Sequence, residues 1–315
     1  MTLEVDQEFA AALGPLLQSQ PADSKPKVHD IEGRRARYAA FKPSPAISED
    51  VSIQVLNIKR EDGSQLPVYH FKKRSADDAQ GPSAAVIYMH GGGFISLSAA
   101  DDVERLARTV QKTNVQAFSV DYRLAPEHPF PAALDDCWAT LTWIHSNAGT
   151  FRVDSKRIAV MGDSAGGGLA AALTLKARDD GLTPPIARQI LSSPMLDDRT
   201  DGEVPGDFKL WDSEDNLTAW TAYLGTAPGG EKVSYLAAPG RITDASGLPK
   251  LYLQTSQFDL FVKENLSYVQ KFVDAGVEVE CHMYPGLPHG FDGLFQTHSV
   301  SRQLEDNRVR ILRNL

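Results

Sequence analysis

The stretch Val160-Met161-Gly162-Asp163-Ser164-Ala165-Gly166-Gly167-Gly168 constrains this chain more than any other. Residues 157–161 form a short apolar run suited to a buried strand, and residues 169–178 are rich in strong helix formers. A strand must therefore turn directly into a helix at Ser164. So sharp a turn forces the serine into a strained backbone conformation, and Gly162 and Gly166 remove the Cβ atoms that would collide across it. The hydroxyl is then held above the sheet edge, with the unpaired N–H groups of the helix N-terminus beneath it. Glycine and serine are also ordinary loop residues, so the pentapeptide needs support from the rest of the chain.

The flanking sequence supplies an architecture for that turn. Residues 51–58 and 66–71 alternate apolar and polar side chains around Asp62-Gly63, which predicts an antiparallel hairpin at a sheet edge. Alternation then gives way to short, mainly apolar strands at 84–89, 115–120, 189–192, 251–254 and 277–283. Helical segments at 102–111, 131–146, 263–274 and 299–312 separate them. Apolar strands alternating with helices predict an α/β fold with an eight-stranded, mainly parallel sheet covered on both faces. Two further helices, at 3–17 and around 31–41, precede the first strand. Residues 198–249 break the alternation but carry Phe208, Leu210, Trp211, Trp220, Tyr223 and Leu224, so a binding element is expected there rather than a structureless loop.

Bulk properties exclude some classes. A net charge of -9 without an offsetting Lys/Arg cluster argues against a nucleic-acid-binding surface. No apolar run spans a bilayer and the first residues lack a basic and apolar leader, so a cytoplasmic protein is expected. Cys137 and Cys281 lie in apolar-patterned segments and are expected to be buried thiols, with a single bridge between them left open.

A serine hydroxyl attacks at neutral pH only if a base takes its proton, and the base works best when a carboxylate fixes its tautomer. Of eight histidines, His289 lies in a Gly/Pro loop after the final strand. Such loops sit at the strand C-terminal ends and share a crevice with Ser164. His70, His145 and His282 fall within strands or a helix and are expected to be structural. Asp259 and the pair Asp197 and Asp198 both close strands between the serine and the histidine, so chain order does not choose between them. Asp259 is preferred because its strand immediately precedes the histidine strand, although a carboxylate there also suits a helix N-cap. His90-Gly91-Gly92-Gly93-Phe94 follows the strand at 84–89 and lets backbone N–H groups approach a developing oxyanion. Neither a P-loop lysine nor GxGxxG spacing follows, which argues against a phosphate cradle.

Four segments together resemble the hormonesensitive-lipase-like, HGGG-motif carboxylesterases of the α/β-hydrolase superfamily. They are His90-Gly91-Gly92-Gly93-Phe94, the segment 121–133 from Asp121-Tyr122-Arg123 onward, Gly162-Asp163-Ser164-Ala165-Gly166-Gly167, and His289-Gly290-Phe291. The resemblance runs from about residue 52 to 315. It implies an α/β-hydrolase fold with a helical cap: a cap segment at 1–48, and a catalytic domain at 49–315 with a cap insertion at about 199–235. It implies Ser164 as nucleophile, Asp259 as acid and His289 as base, with Gly92, Gly93 and Ala165 forming the oxyanion hole. His128 and Glu127 are then scaffold. The chain departs from the family's Asp-Pro-Leu-Arg-Asp, having Asp259-Leu260-Phe261-Val262-Lys263, so the acid survives but the second acidic position does not.

The expected activity is hydrolysis of short- to medium-chain esters through an acyl-enzyme, without metal or organic cofactor. The expected partner is a small-molecule ester, with no nucleic acid and no membrane span; a homodimer is left open. An amidase or formamidase would use the same three residues. A non-catalytic small-molecule receptor would be expected to have lost one of them.

Overall fold

The structure is a computed structural model that describes residues 3–18, 25–39, 48–74, 81–204 and 210–315. Its strands are β1 (Val51–Lys59), β2 (Gln65–Lys73), β3 (Ser83–Met89), β4 (Gln116–Val120), β5 (Val153–Asp163), β6 (Arg188–Ser192), β7 (Lys250–Phe258) and β8 (Val279–Pro288). They form one sheet in the order β1-β2-β4-β3-β5-β6-β7-β8. The hairpin expected around Asp62-Gly63 is present, with Val51 opposite Lys73 and Lys59 opposite Gln65. Because β2 also pairs antiparallel with β4, β2 alone runs against the other seven strands.

The helices are α1 (Gln7–Gln18), α2 (Ile31–Ala39), α3 (Val103–Thr113), α4 (Ala132–Ser146), α5 (Ala148–Phe151), α6 (Ala165–Asp179), α7 (Ser213–Leu224), α8 (Val262–Asp274), α9 (Phe291–Leu294) and α10 (Ser299–Arg313). Alternate strand residues feed two cores. Ala85, Ile87, Met89, Ile158 and Val160 pack with Leu134 and Leu141 of α4, Leu169 and Leu173 of α6, and Tyr268 of α8. Val86, Tyr88, Ala159 and Met161 pack with Leu106 and Val110 of α3 and Ile311 and Leu312 of α10. Both faces of β3 and β5 are thus covered, which is why these strands carry no polar alternation.

The segments outside this alternation divide. Phe9 and Leu13 of α1 pack with Tyr284, Leu287, Phe291 and Leu304, on the side of the His289 loop. Helix α2 instead joins α7 through a buried ion pair, Arg34 Nε to Asp215 Oδ1 at 2.9 Å. Trp220 and Tyr223 of α7 are core residues: Tyr223 stacks on Phe94 at 3.9 Å between ring centroids, a pairing worth about 0.5–1.5 kcal/mol beyond area burial. The side chains of Leu16 and Leu17, and the residues Phe41 and Phe208, lie outside the described residues.

One expectation is corrected. Cys137 is buried in α4, but Cys281 is exposed, and both thiols are free. The reason is topological: β8 is the last strand of the sheet, so alternate side chains there, such as Cys281 and the 47% exposed Met283, meet solvent.

Candidate active site

The strand-to-helix turn at Ser164 has the predicted strain, with φ 54° and ψ -121°. A residue with a side chain is held there at a cost of about 1–3 kcal/mol, and only when its surroundings over-determine it. They do. Ser164 N–H donates to the Ser192 carbonyl at 2.9 Å, and the Ser164 carbonyl accepts from Met195 N–H at 2.9 Å and Gly168 N–H at 3.0 Å. A Cβ on Gly162 would collide with the Gly166 carbonyl, and one on Gly166 with the carbonyls of Met89 and His90. The two glycines are therefore required by close backbone approach.

The glycine loop after β3 lies against this turn, since a Cβ on Gly91 would stand 3.6 Å from the Ser164 Cβ. Gly92 and Gly93 have φ of 108° and 62°, a region costly for other residues. Among the described residues, the N–H groups of Gly92, Gly93 and Ala165 have no acceptor within the protein. His90 anchors the loop rather than facing the serine. Its Nδ1 donates to the Gly91 carbonyl at 2.7 Å, and its ring stacks on Tyr122 at 4.1 Å. Tyr122 OH in turn donates to the His90 carbonyl at 2.8 Å.

His289, Asp259 and Ser164 meet above the sheet. His289 Nε2 lies 2.9 Å from Ser164 Oγ, and its Nδ1 lies 2.8 Å from Asp259 Oδ2. Asp259 is 2% exposed, and its other oxygen accepts from Phe261 N–H at 2.9 Å, bracing the turn that leads into α8; the N-cap of that helix is Phe261 rather than Asp259. Phe261 meets the imidazole edge-on at 5.1 Å. Burial alone would lower the His289 pKa, but the Asp259 carboxylate, with Asp292 and Asp163 further off, outweighs it and holds the ring above the ordinary histidine value. With Nδ1–H given to Asp259, Nε2 is left as the acceptor facing the serine hydroxyl. Such a series can withdraw a proton from Oγ, and the three free N–H groups can receive a negative oxygen beside it.

A sequence profile described as alpha/beta hydrolase fold matches residues 86–293. The chain belongs to the alpha/beta hydrolase fold family. The resemblance to hormone-sensitive-lipase-like carboxylesterases drawn from its motifs is borne out. Carboxylesterase NlhH of Mycobacterium tuberculosis (strain ATCC 25618 / H37Rv) is 34% identical over 271 residues, covering 83% of this chain and 82% of that protein. Esterase LipI of the same organism is 36% identical over 69% of this chain and 68% of its own. Among solved structures, a bacterial heroin esterase superposes with a TM-score of 0.89 at 35% identity, covering 98% of this chain and 97% of that one.

In this α/β-hydrolase the other acid candidates are engaged elsewhere. Asp198 is 4% exposed and pairs with Arg241 at 2.6 Å while accepting from Gly229 N–H at 2.6 Å. Asp197 pairs with Arg199 at 2.6 Å. Glu127 forms a two-pronged pair with Arg35 of α2, both contacts 2.8 Å. Arg35 also donates to the carbonyls of Ile95 and Ala125, tying α2 to the glycine loop's neighbourhood. His70 and His282 lie within strands, paired with Gln116 and Glu280, and His145 lies in α4.

Trp211, one of the aromatic residues of the expected binding element, reaches the site, and sequence reasoning passed over three further residues there, Glu264, Arg308 and Asp292. Trp211 is 3% exposed: its ring occupies the space a Cβ on Gly93 would need and lies 6.4 Å from the His289 ring. Glu264, one residue beyond the missing second acid, is buried and accepts from Leu196 N–H at 2.6 Å. Arg308 and Asp292 join the far side of the turn. Asp292, three residues after His289, carried a positional signal; an arginine within an amphipathic helix carried none. Among the described residues, no group of three or more His, Cys, Asp or Glu side chains is arranged to hold a metal ion. No helix is long and apolar enough to cross a membrane, among the same residues.

Proposed function

We propose that this chain is a serine carboxylesterase that hydrolyses short- to medium-chain, uncharged esters through an acyl group carried on Ser164. The observation that carries this reading is the single imidazole, His289, hydrogen-bonded to both Ser164 Oγ and Asp259. Relatives with esterase names at 34% and 36% identity support the reaction class.

In the first step His289 Nε2 accepts the Ser164 proton as Oγ bonds to the acyl carbon, and the carbonyl oxygen takes the negative charge. Gly92, Gly93 and Ala165 N–H groups are the proposed donors to it. Collapse breaks the bond to the alcohol oxygen, which leaves with the proton from His289. Water then adds to the acyl carbon with His289 again as base, and the acid departs, restoring the Ser164 hydroxyl. Asp259 stays ionised throughout and stabilises the transient imidazolium.

The proposed cap comprises residues 1–48 and about 199–235, and within it Trp211 packs on Gly93 with its ring 6.4 Å from that of His289. An indole packed on Gly93 beside His289 favours small acyl groups over long ones. The free thiols of Cys137 and Cys281 suit a reducing compartment, and we assign the protein to the cytoplasm.

The test is turnover of p-nitrophenyl acetate through decanoate by the wild type and Ser164→Ala, with the matched p-nitroanilides alongside. The expected result is ester turnover falling with chain length and reduced by about 10⁵–10⁶-fold in the variant. Equal rates for the two proteins would sink the assignment, and faster anilide than ester turnover would make the chain an amidase.

A further inference from the structure

Behind the strand-to-helix turn, opposite the serine hydroxyl, lies a set of charged side chains that the reaction as described does not use. Arg308, on α10, is 8% exposed, a position arginine almost never occupies without compensating partners. Its Nη2 lies 3.4 Å from Asp163 Oδ1, 3.2 Å from Asp292 Oδ2 and 3.0 Å from Ser192 Oγ. The Gln254 amide, oriented as its neighbours' hydrogen bonding requires, turns its oxygen to Arg308 Nε at 3.0 Å and Nη2 at 2.8 Å. One guanidinium therefore touches the end of β5, the end of β6, β7 and the short helix α9.

Two of those contacts matter for the site. Asp163 immediately precedes Ser164, and Asp292 stands three residues beyond His289. In sequence they are far apart, and Arg308 is 145 residues from one and 16 from the other. The nucleophile turn is already fixed by backbone hydrogen bonds to the β6 loop. The histidine loop has no comparable backbone tie to that turn among the described residues, and its α9 is a single helical turn.

We propose that Arg308 is a positioning residue of the hydrolytic site: it holds the His289 loop to the Ser164 turn through Asp292 and Asp163, and neutralises these two carboxylates beside the imidazole. The inference rests on the esterase reading given above. The titratable and charged groups around His289 are Asp259 just after β7, with Glu264 of α8 behind it, a carboxyl that burial pushes well above its ordinary value, then Asp163 of β5, Asp292 of α9 and Arg308 of α10. Beyond Asp163 lie Arg105 of α3, Asp102 and Tyr88, joined to it by an Arg105 ion pair and a 2.9 Å bond from Tyr88 OH. Both Asp292 and Asp163 favour the protonated imidazole, so a cation shared between them opposes that effect.

The charges give opposite signs for two substitutions. Arg308→Met keeps the apolar stem and removes the cation, leaving Asp292 beside His289 without its counter-ion and Asp163 with Arg105 alone. The acid limb of its kcat/KM profile on p-nitrophenyl acetate is expected at higher pH than in the wild type. Asp292→Asn removes one negative charge and is expected to move the limb to lower pH. In Arg308→Met, kcat at the plateau is expected to fall about tenfold to a hundredfold with KM nearly unchanged, because the base is displaced rather than the substrate. Arg308→Lys should return the limb to its wild-type position while recovering only part of kcat, since a single ammonium nitrogen cannot reproduce the Nε and Nη2 contacts to Gln254 alongside those of Nη2 to the two carboxylates.

These profiles are measured on the full chain, after ester turnover and its loss in Ser164→Ala have been established, so the two readings fail separately. Superimposable profiles for Arg308→Met and wild type, or shifts of the same sign in Arg308→Met and Asp292→Asn, overturn the proposal. Should Arg308→Met not fold, the Asp292→Asn shift decides alone: a limb at lower pH supports the proposal and an unmoved limb overturns it.

Discussion

The two halves of the candidate site are built by different means. Around Ser164 and the glycine loop, backbone does the positioning: Gly162, Gly166 and Gly92 bring main-chain groups closer than a Cβ would allow, and Gly93 makes room for the Trp211 ring. Around His289, side chains do it, with Asp259, Asp292 and Arg308 arriving from three separate elements. The first half leaves no room for an added carbon but needs few charges. The second tolerates changes of volume but depends on where each charge sits. A substitution in one half should therefore fail differently from one in the other.

The sharpest separation comes from exchanging a carboxylate for its amide. Asp259→Asn is expected to lower kcat about 10⁴-fold by favouring the wrong imidazole tautomer, with thermal stability little changed. Asp198→Asn is expected to do the reverse. Breaking its buried pair with Arg241 costs about 3 kcal/mol of stability, seen in denaturant titration, while kcat stays within about tenfold. An inversion of this pattern would move the acid to Asp198.

The backbone half is probed by Gly93→Ala, which combines an unfavourable φ of 62° with a collision against Trp211. Displacing one oxyanion donor is expected to lower kcat about 10²–10³-fold with a smaller change in KM. Wild-type kcat in this variant would remove the glycine loop from the reaction and leave only the side-chain half in place.

The smallest effect lies at the strut between the halves' common neighbour and α2. Arg35 holds the Glu127 carboxyl at about 2, against an ordinary value of 4.5. A depressed carboxylate contributes stability that is fully present above about 4.5 and lost as pH falls through about 2. Because the Glu127 side chain is 53% exposed, screening limits the pair to about 0.5 kcal/mol. Glu127→Gln is accordingly expected to lower Tm by about 1 °C at pH 7, and to make no difference near pH 2.

The same division explains what could be read from the amino-acid sequence. Backbone crowding leaves glycines at fixed spacing, so the Ser164 turn, the His90 loop and the Asp62-Gly63 hairpin were all legible. Apolar runs likewise announced the parallel strands, because a strand covered on both faces has no polar alternation. Chain order could not separate Asp259 from Asp197 and Asp198, since all three follow strands between the serine and the histidine; only the fold shows that Asp197 and Asp198 lie in the loop beyond β6 and turn to Arg199 and Arg241 respectively. Arg308 was invisible for a related reason, as its partners lie on strands and loops distant in sequence. The exposure of Cys281 was missed because an edge strand is defined by its lack of a neighbour, which local pattern does not record. The reversed direction of β2 relative to β4 likewise depends on pairing across the sheet.

The hydrogen bonds on either side of Ser164 have one more consequence. The residue both gives its amide to β6 and receives an amide from the loop that follows it, so it is a stitch in the scaffold. An acyl group attached to its oxygen loads a fixed mount rather than a swinging arm. In the proposed acyl-enzyme the ester bond would therefore hang from a point fixed on both sides by main-chain hydrogen bonds.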